Sequence, residues 1–346
     1  MYFTPAMTFD QIGSIVANGK FPGPKKPAEI VETHISWVIL TPSFAFKIKK
    51  PVEFPFLDFS TVEKREYYCG EELRLNRRLA PSVYLDVLPV CSAVDGLPEI
   101  FSAIDGRTPL DFAVWMKRLD NACQMDRMLE QDRVTDEHMR ELARLLAGFH
   151  ESVFLNSGET MYRPDDNRKD FNDLFRLKDT AVRFFGPETA AQFDTWRQQA
   201  GNFLDRHEAR LRWRARAGCW VDGHGDLHAR NIFLLPDGPV IFDCIDFNPH
   251  FRQGDLLNEL AFLCMDLEVN GHYALAKVFM DAYCTRHSCI EGPEDAYIFL
   301  YFKTYRANVR LKVTLTELEQ HEHPALLDTA RNYLSLFAHY MQQLPG

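Results

Sequence analysis

Apolar and polar positions follow two rhythms along this chain of 346 residues. The runs VETHISWVIL and FAFKIKK are rich in β-branched and aromatic residues and are separated by Thr41-Pro42-Ser43, which predicts strands joined in a hairpin. A helical stretch is predicted from about Thr61 to Leu79, with Leu73, Leu75 and Leu79 on its buried side. YLDVLPV and DFAVWMKRL read as further strands. From Asp136 the rhythm changes: Met139, Leu142, Leu146 and Phe149 fall on one stripe, with Thr135 or Asp136 as the cap. The stretch from Asp165 to Arg216 reads as helical and highly charged, a β-hairpin interrupts from Asn231 to Asp243, and helices run from Asp255 to the end. This order predicts an α+β fold with a small β-rich first lobe, residues 1–116, and a larger helical second lobe, residues 117–346. The lobe boundary is expected near Lys117 to Asn121.

Composition narrows the picture. Hydrophobic residues make up 46% and charged residues 25%, enough for a sizeable core. Lys and Arg total 39 against 49 Asp and Glu, a net charge of −10, so a nucleic-acid backbone is not an expected partner. The eight cysteines are scattered without a CxxC, which predicts reduced thiols and a cytoplasmic setting. The start, MYFTPAMTFDQIG, lacks the basic and apolar segments of a signal peptide, and no long apolar run predicts a membrane span. Gly19 to Pro27 (GKFPGPKKP) reads as a loop.

The chemistry concentrates between Cys219 and Asp255. Pro236-Asp237-Gly238 is a strong turn signal between NIFLL and PVIFD. A hairpin folded about Asp237 sets Asn231 roughly opposite Asp243, with Asp246 just beyond the second strand and His224 to His228 just before the first. Asp226, Asn231, Asp243 and Asp246 would then converge as a hard, oxygen-rich set that suits Mg²⁺ with phosphates. The spacing His224-x-Asp226-x-x-x-x-Asn231 matches the catalytic loop of kinases, in which the Asp handles the substrate hydroxyl proton and the Asn holds a metal.

HGDLHARN followed by IDFN resembles the catalytic loop and metal-binding motif of the aminoglycoside phosphotransferase and choline kinase superfamily. The similarity extends to THISWVILT, FKIKKPVEF, LDFSTVEKR, ELRLNRRLAPSVY and YRANVRLKV, nearly the whole chain. It points to a bacterial group often fused to a C-terminal P-loop ATPase domain; the chain contains no GxxxxGK[ST], so that domain is not expected in it. The resemblance implies a two-lobed kinase-like fold, ATP and Mg²⁺ between the lobes, and transfer of the γ-phosphate to a hydroxyl-bearing substrate. Asp226 would be catalytic; Asn231 and Asp246, with Asp243 as the alternative, would hold metal. A first-lobe lysine, Lys47 or else Lys49, would clamp phosphates, paired with Glu72 or secondarily Glu71. Met116, Lys117 and Leu119 would form the adenine hinge, Thr33 to Ser36 the phosphate loop, and Ser36 and Arg230 would join the nucleotide contacts. His224 and Asp255 are expected to be structural.

Other readings are weaker. His224 and His228, or His321 and His323, lack the further ligands that zinc needs. Cys219, Cys244 and Cys264 sit among apolar residues and read as packing. Arg206, Arg210, Arg212, Arg214 and Arg216 form a basic run that suits either a helix C-terminus or an anionic substrate. Asp165, Asp166, Asp170 and Asp173 read as a solvated helix face. A nucleotide-binding pseudokinase, or a nucleotidyltransferase on the same fold, is the alternative function.

Overall fold

A computed structural model describes residues 7–25, 27–156 and 162–345. Met1 to Ala6 of the N-terminal stretch, and Lys26 of the GKFPGPKKP loop, lie outside the described residues. The chain divides into two compact units, one of residues 1–132 and 230–251 and the other of residues 133–229 and 252–346. Residues 117–132 and the segment 230–251 thus group with the β-rich part, whereas the sequence reading assigned them to the helical lobe.

The first unit is built on an antiparallel sheet of order β1-β2-β3-β8-β6-β7, formed by β1 (Glu29–Glu32), β2 (Ser36–Leu40), β3 (Phe44–Lys49), β6 (Tyr84–Ser92), β7 (Pro98–Ile100) and β8 (Pro109–Lys117). The small hairpin of β4 (Glu53–Phe54) and β5 (Leu57–Asp58) stands apart from it. The run VETHISWVIL holds two strands rather than one. The Thr33 hydroxyl accepts from the Ser36 amide at 2.9 Å, and this side-chain turn ends β1 and starts β2. Thr41 repeats the device at the expected hairpin, accepting from the Phe44 amide at 2.9 Å.

Alternation within the strands sorts the sheet's two faces. Trp37, Ile39, Phe46, Ile48 and Ala113 face one core, which α1 (Phe9–Ala17) covers with Ile12 and Ile15. Ala45, Phe112, Val114 and Met116 face the other, together with Cys69 of α2 (Val62–Asn76). Thr61, where the helical stretch was expected to begin, caps α2, and Leu75 and Leu79 are buried, though Leu73 is only half-buried. Lys47 and Lys49, two and four residues after Ala45, therefore share the α2 face of β3.

The hairpin of strands Ile232–Leu235 and Gly238–Ile241 pairs Leu235 with Gly238 and Ile232 with Ile241. Two residues, Pro236 and Asp237, make the turn, where the sequence reading pivoted on Asp237 alone. Asn231 consequently lies opposite Phe242, not Asp243, and its carbonyl accepts from the Phe242 amide at 3.0 Å. Val240 and Phe242 pack on the α2-side core.

After α3 (Met125–Glu130), which belongs to the first unit, the second unit is helical: α4 (Asp136–Ser152), α5 (Pro164–Asn172), α6 (Lys178–Phe185), α7 (Glu188–Arg216), α8 (Leu256–Val269), α9 (Tyr273–Arg286), α10 (Pro293–Gln320) and α11 (Pro324–Gln343). Thr135 caps α4, and Met139, Leu142, Leu146 and Phe149 are buried, as the stripe predicts. Two short strands missed by pattern, Trp220–Asp222 and Gln253–Asp255, pair antiparallel and bracket the HGDLHARN loop. No helix among the described residues is long and apolar enough to cross a membrane.

Candidate active site

In the first unit β3, α2 and the segment after the hairpin bring five charges together. Lys47 Nζ lies 2.7 Å from Asp243 Oδ1 and 2.9 Å from Glu72 Oε1. Lys49 Nζ lies 2.7 Å from Glu72 Oε2 and 2.6 Å from Asp246 Oδ2, and 4.8 Å from the centroid of the Phe59 ring. Glu72 is thus shared, one oxygen to each lysine. Burial alone would push its carboxyl up; the two ammonium groups outweigh that and bring it down to about 2. Burial opposes the charge on both lysines as well, but Asp243 and Glu72 raise Lys47, and Asp246 and Glu72 raise Lys49, so both stay cationic. Desolvation leaves Asp246 above the usual carboxylate range despite Lys49. The lysines differ in access: the Lys49 side chain is 1% exposed and that of Lys47 is 16% exposed, beside a half-exposed Asp243.

The carboxylate segment is anchored to the α2 side. Asp243 takes φ +63°, a left-handed backbone that Asp tolerates, and its amide donates to the Tyr84 hydroxyl at 3.2 Å. The Cys244 amide donates to Asn76 Oδ1 at 2.9 Å, while Asn76 Nδ2 donates to the Glu72 carbonyl at 2.9 Å. Asn76 therefore ties the turn that carries Glu72 to the turn that carries Asp243 and Asp246. Sequence reasoning missed it; its signal was a buried amide four residues after Glu72, on the same helix face.

The other expected nucleotide residues have varied surroundings. Ser36 is buried directly across from Lys49 in the β2–β3 register, and its hydroxyl has no hydrogen-bond partner among the described residues. Met116 is buried on the Ala45 side, Lys117 is exposed with its amide donating to the Val83 carbonyl at 2.9 Å, and Leu119 packs on the α2-side core. The Arg230 side chain is mostly exposed, 3.7 Å from Asp126, and its carbonyl accepts from Gln124. Asn231 is buried. Glu71, the second choice for the lysine partner, pairs with Arg74 instead.

Among the described residues no three His, Cys, Asp or Glu side chains gather as a cage for a metal ion. The donors expected for Mg²⁺ supply oxygen only, and the buried cluster has two lysines against three carboxylates, 2 − 3 = −1. That surplus negative charge and donor set fit a hard divalent cation that completes its shell with phosphate oxygens and water.

In the second unit the loop 223–229 is held on all sides. Glu259 Oε2 accepts from the His224 amide at 2.7 Å, and His224 Nδ1 accepts from the Asp226 amide at 3.3 Å. Arg306 donates to the Gly225 carbonyl at 3.2 Å and to Asn258 Oδ1 at 2.8 Å. Asp266 accepts from the Ala229 amide at 2.9 Å, and Gly225 takes φ +84°. A Cβ on Gly223 would stand 1.8 Å from Glu259 Oε2, so only glycine admits that carboxylate. Asp226 Oδ2 lies 3.3 Å from His228 Nε2. Burial disfavours the Asp226 charge, yet His228, His224 and Arg310 together hold its carboxyl far below the ordinary range. Burial likewise opposes protonation of His228, but Asp226 outweighs it and raises the imidazole.

His224 is thus a loop brace, as expected. Asp255 caps α8, accepting from the Leu257 amide at 2.9 Å, and forms a two-point ion pair with Arg214. The carboxylates that hold the loop backbone are those of Glu259, one turn further on, and of Asp266. A lone acid in the apolar stretch LLNELAFLCM was the sequence signal of Glu259. Three of the five arginines of the basic run are occupied internally: Arg210 pairs with Asp295 and Glu291, Arg212 with Glu208, and Arg214 with Asp255 and Asp295.

A curled antiparallel sheet, a lysine–glutamate pair between strand and helix, and a helical part with a braced HGDLHARN loop define the class of kinase-like α+β folds. The chain matches the profile of the Phosphotransferase enzyme family over residues 66–296 and belongs to that family. It is 29% identical over 316 residues to uncharacterized proteins of Mycobacterium tuberculosis (strain ATCC 25618 / H37Rv) and Mycobacterium bovis, matching 90% of this chain and 59% of each relative. The chain therefore spans about three fifths of the length of those curated relatives. Among solved structures it is similar to an ethanolamine kinase of Plasmodium vivax (TM-score 0.52, 10% identity, 91% of this chain and 81% of that one). It is also similar to a choline/ethanolamine kinase family protein of Mesorhizobium loti (TM-score 0.51, 14% identity, 96% and 99%). A third, APH(2")-IIia in complex with GDP and kanamycin, has a TM-score of 0.51 at 14% identity, over 97% of this chain and 99% of that one. Likeness at this level of identity carries the fold.

Proposed function

We propose that this protein is an ATP-dependent phosphotransferase that moves the γ-phosphate of ATP onto a hydroxyl of a small molecule. The reading rests above all on the buried ion cluster in which Glu72 joins Lys47 and Lys49 to Asp243 and Asp246. Such a set neutralises phosphate charge with a pre-aligned ammonium group and keeps carboxylate oxygens ready for a cation. Lys47 is the phosphate clamp on this reading, because its ammonium is the more accessible of the two. Lys49 is the internal cation that fixes Glu72 and Asp246. Asn231 and Asp246, with Asp243 beside them, would hold Mg²⁺, which supplies charge neutralisation at the β- and γ-phosphates. Asp226 would orient the acceptor hydroxyl. Its depressed pKa keeps it ionised at neutral pH, so it takes the proton only as the acceptor oxygen becomes bonded to phosphorus.

Acceptor-dependent ADP release from MgATP, measured over a panel of metabolites, tests the reaction class. Asp226→Asn is expected to lower turnover on the order of a thousandfold while MgATP binding survives. Full turnover in that variant removes Asp226 from the mechanism. Transfer of label from α-labelled rather than γ-labelled ATP would replace phosphoryl transfer with nucleotidyl transfer.

A further inference from the structure

Arg306 and Arg310 stand one turn apart on α10, on one helix face. Arg306 is committed to the loop, through the Gly225 carbonyl and Asn258. Arg310 is not. Its Nε donates to the Tyr333 hydroxyl of α11 at 3.2 Å, and its guanidinium carbon lies 5.5 Å from the centroid of that ring. Among the described residues the Tyr333 hydroxyl is the one hydrogen-bond partner of this guanidinium, although the side chain is half-buried. Arg306, one turn earlier on the same face, reaches the Gly225 carbonyl next to Asp226, and Asp226, Asp266 and His228 lie close enough for their charges to act on Arg310 or to feel it. Burial works against its charge, and Tyr333, Asp266 and Asp226 sustain it.

A half-buried guanidinium, with four N–H donors that take no partner among the described residues, is suited to a planar or tetrahedral anion bound at two points. We infer that the acceptor carries an anionic group, a carboxylate or a phosphate, which Arg310 binds beside Asp226. This rests on the phosphotransferase reading and narrows it: hydroxy acids and sugar phosphates are the substrate class. An amino alcohol or aminosugar would bring an ammonium group up to a fixed cation. Tyr333 holds the guanidinium in place and leaves its outer edge for the ligand.

Three arms test this. The first measures MgATP-dependent ADP release with hydroxy acids and sugar phosphates against neutral sugars, amino alcohols and aminosugars. Turnover should favour an anionic acceptor, and preference for a neutral or cationic one overturns the inference. The second arm compares Arg310→Gln and Arg310→Lys, each verified as folded by thermal denaturation. KM for the anionic acceptor should rise on the order of tenfold to a hundredfold in Arg310→Gln, and partly recover in Arg310→Lys. A fall in kcat alone, with acceptor KM unmoved, would assign Arg310 to the transferred phosphoryl group instead and overturn the proposal. The third arm needs no turnover: calorimetric binding of inorganic phosphate to protein saturated with MgADP. Binding lost in Arg310→Gln supports the anion site; equal binding in both, or none in the wild type, overturns it. Failure of the phosphotransferase reading would show separately, as absent MgATP binding and absent label transfer, whatever Arg310 does.

Discussion

Each lysine of β3 meets the same carboxylate, yet their surroundings assign them different consequences. Lys49 is enclosed by Glu72, Asp246 and the Phe59 ring. Removing it leaves two buried carboxylates short of a cation, so Lys49→Met is expected to destabilise the protein by about 3–5 kcal/mol. Lys47→Met should affect stability less and raise the KM for ATP more. Denaturant unfolding and ATP kinetics on both variants check this, and a Lys47 variant that loses stability without losing ATP affinity would exchange the roles. His228 makes a pH-dependent contribution. Its folded pKa is raised above the unfolded value of about 6.5. The stability it supplies is therefore fully present below that value and is lost as pH climbs through the folded pKa. The stability gap between wild type and His228→Gln should shrink from pH 6 to pH 9; a constant gap would remove the Asp226 pairing as its source.

At the scale of elements, the HGDLHARN loop depends on a helix that follows it in sequence. Glu259 sits in the first turn of α8 and reaches the loop only because Gly223 has no side chain. Gly223→Ala should displace that carboxylate, lowering activity at least tenfold and the melting temperature by several degrees. Normal activity in Gly223→Ala would mean that Glu259 is dispensable. The difference between what could and could not be read in advance lies here. Asp226, Asn231, Asp243 and Asp246 were legible because they share one short stretch whose spacing is itself the signal. Glu72 was legible from helix phase, since its face also carries Leu75. Glu259, Arg306, Asn76 and Tyr84 were not, because each reaches its partner within its own unit from an element distant in sequence, and a pattern along one segment carries no information about which distant backbone group it will meet. The one-residue error in the hairpin had a local cause: Pro236-Asp237-Gly238 permits a pivot at either of two places, and strand pairing decided for the two-residue turn.

At the scale of the molecule, the chain belongs to a phosphotransferase family while its compact units are not continuous in sequence. Residues 230–251 are counted with the sheet, although the strands Trp220–Asp222 and Gln253–Asp255 that flank them pair within the helical unit. Cooperative opening should respect compactness rather than proximity along the chain. In mild denaturant, amides of residues 232–241 should exchange with deuterium in step with β3 and β8, and out of step with the short strands on either side. A single exchange rate shared across residues 220–255 would refute that. A peptide-by-peptide deuteration map of this protein should thus look interleaved, with a band of one tempo inserted inside a band of another, and the carboxylates Asp243 and Asp246 would keep time with a sheet whose last strand ended more than a hundred residues earlier.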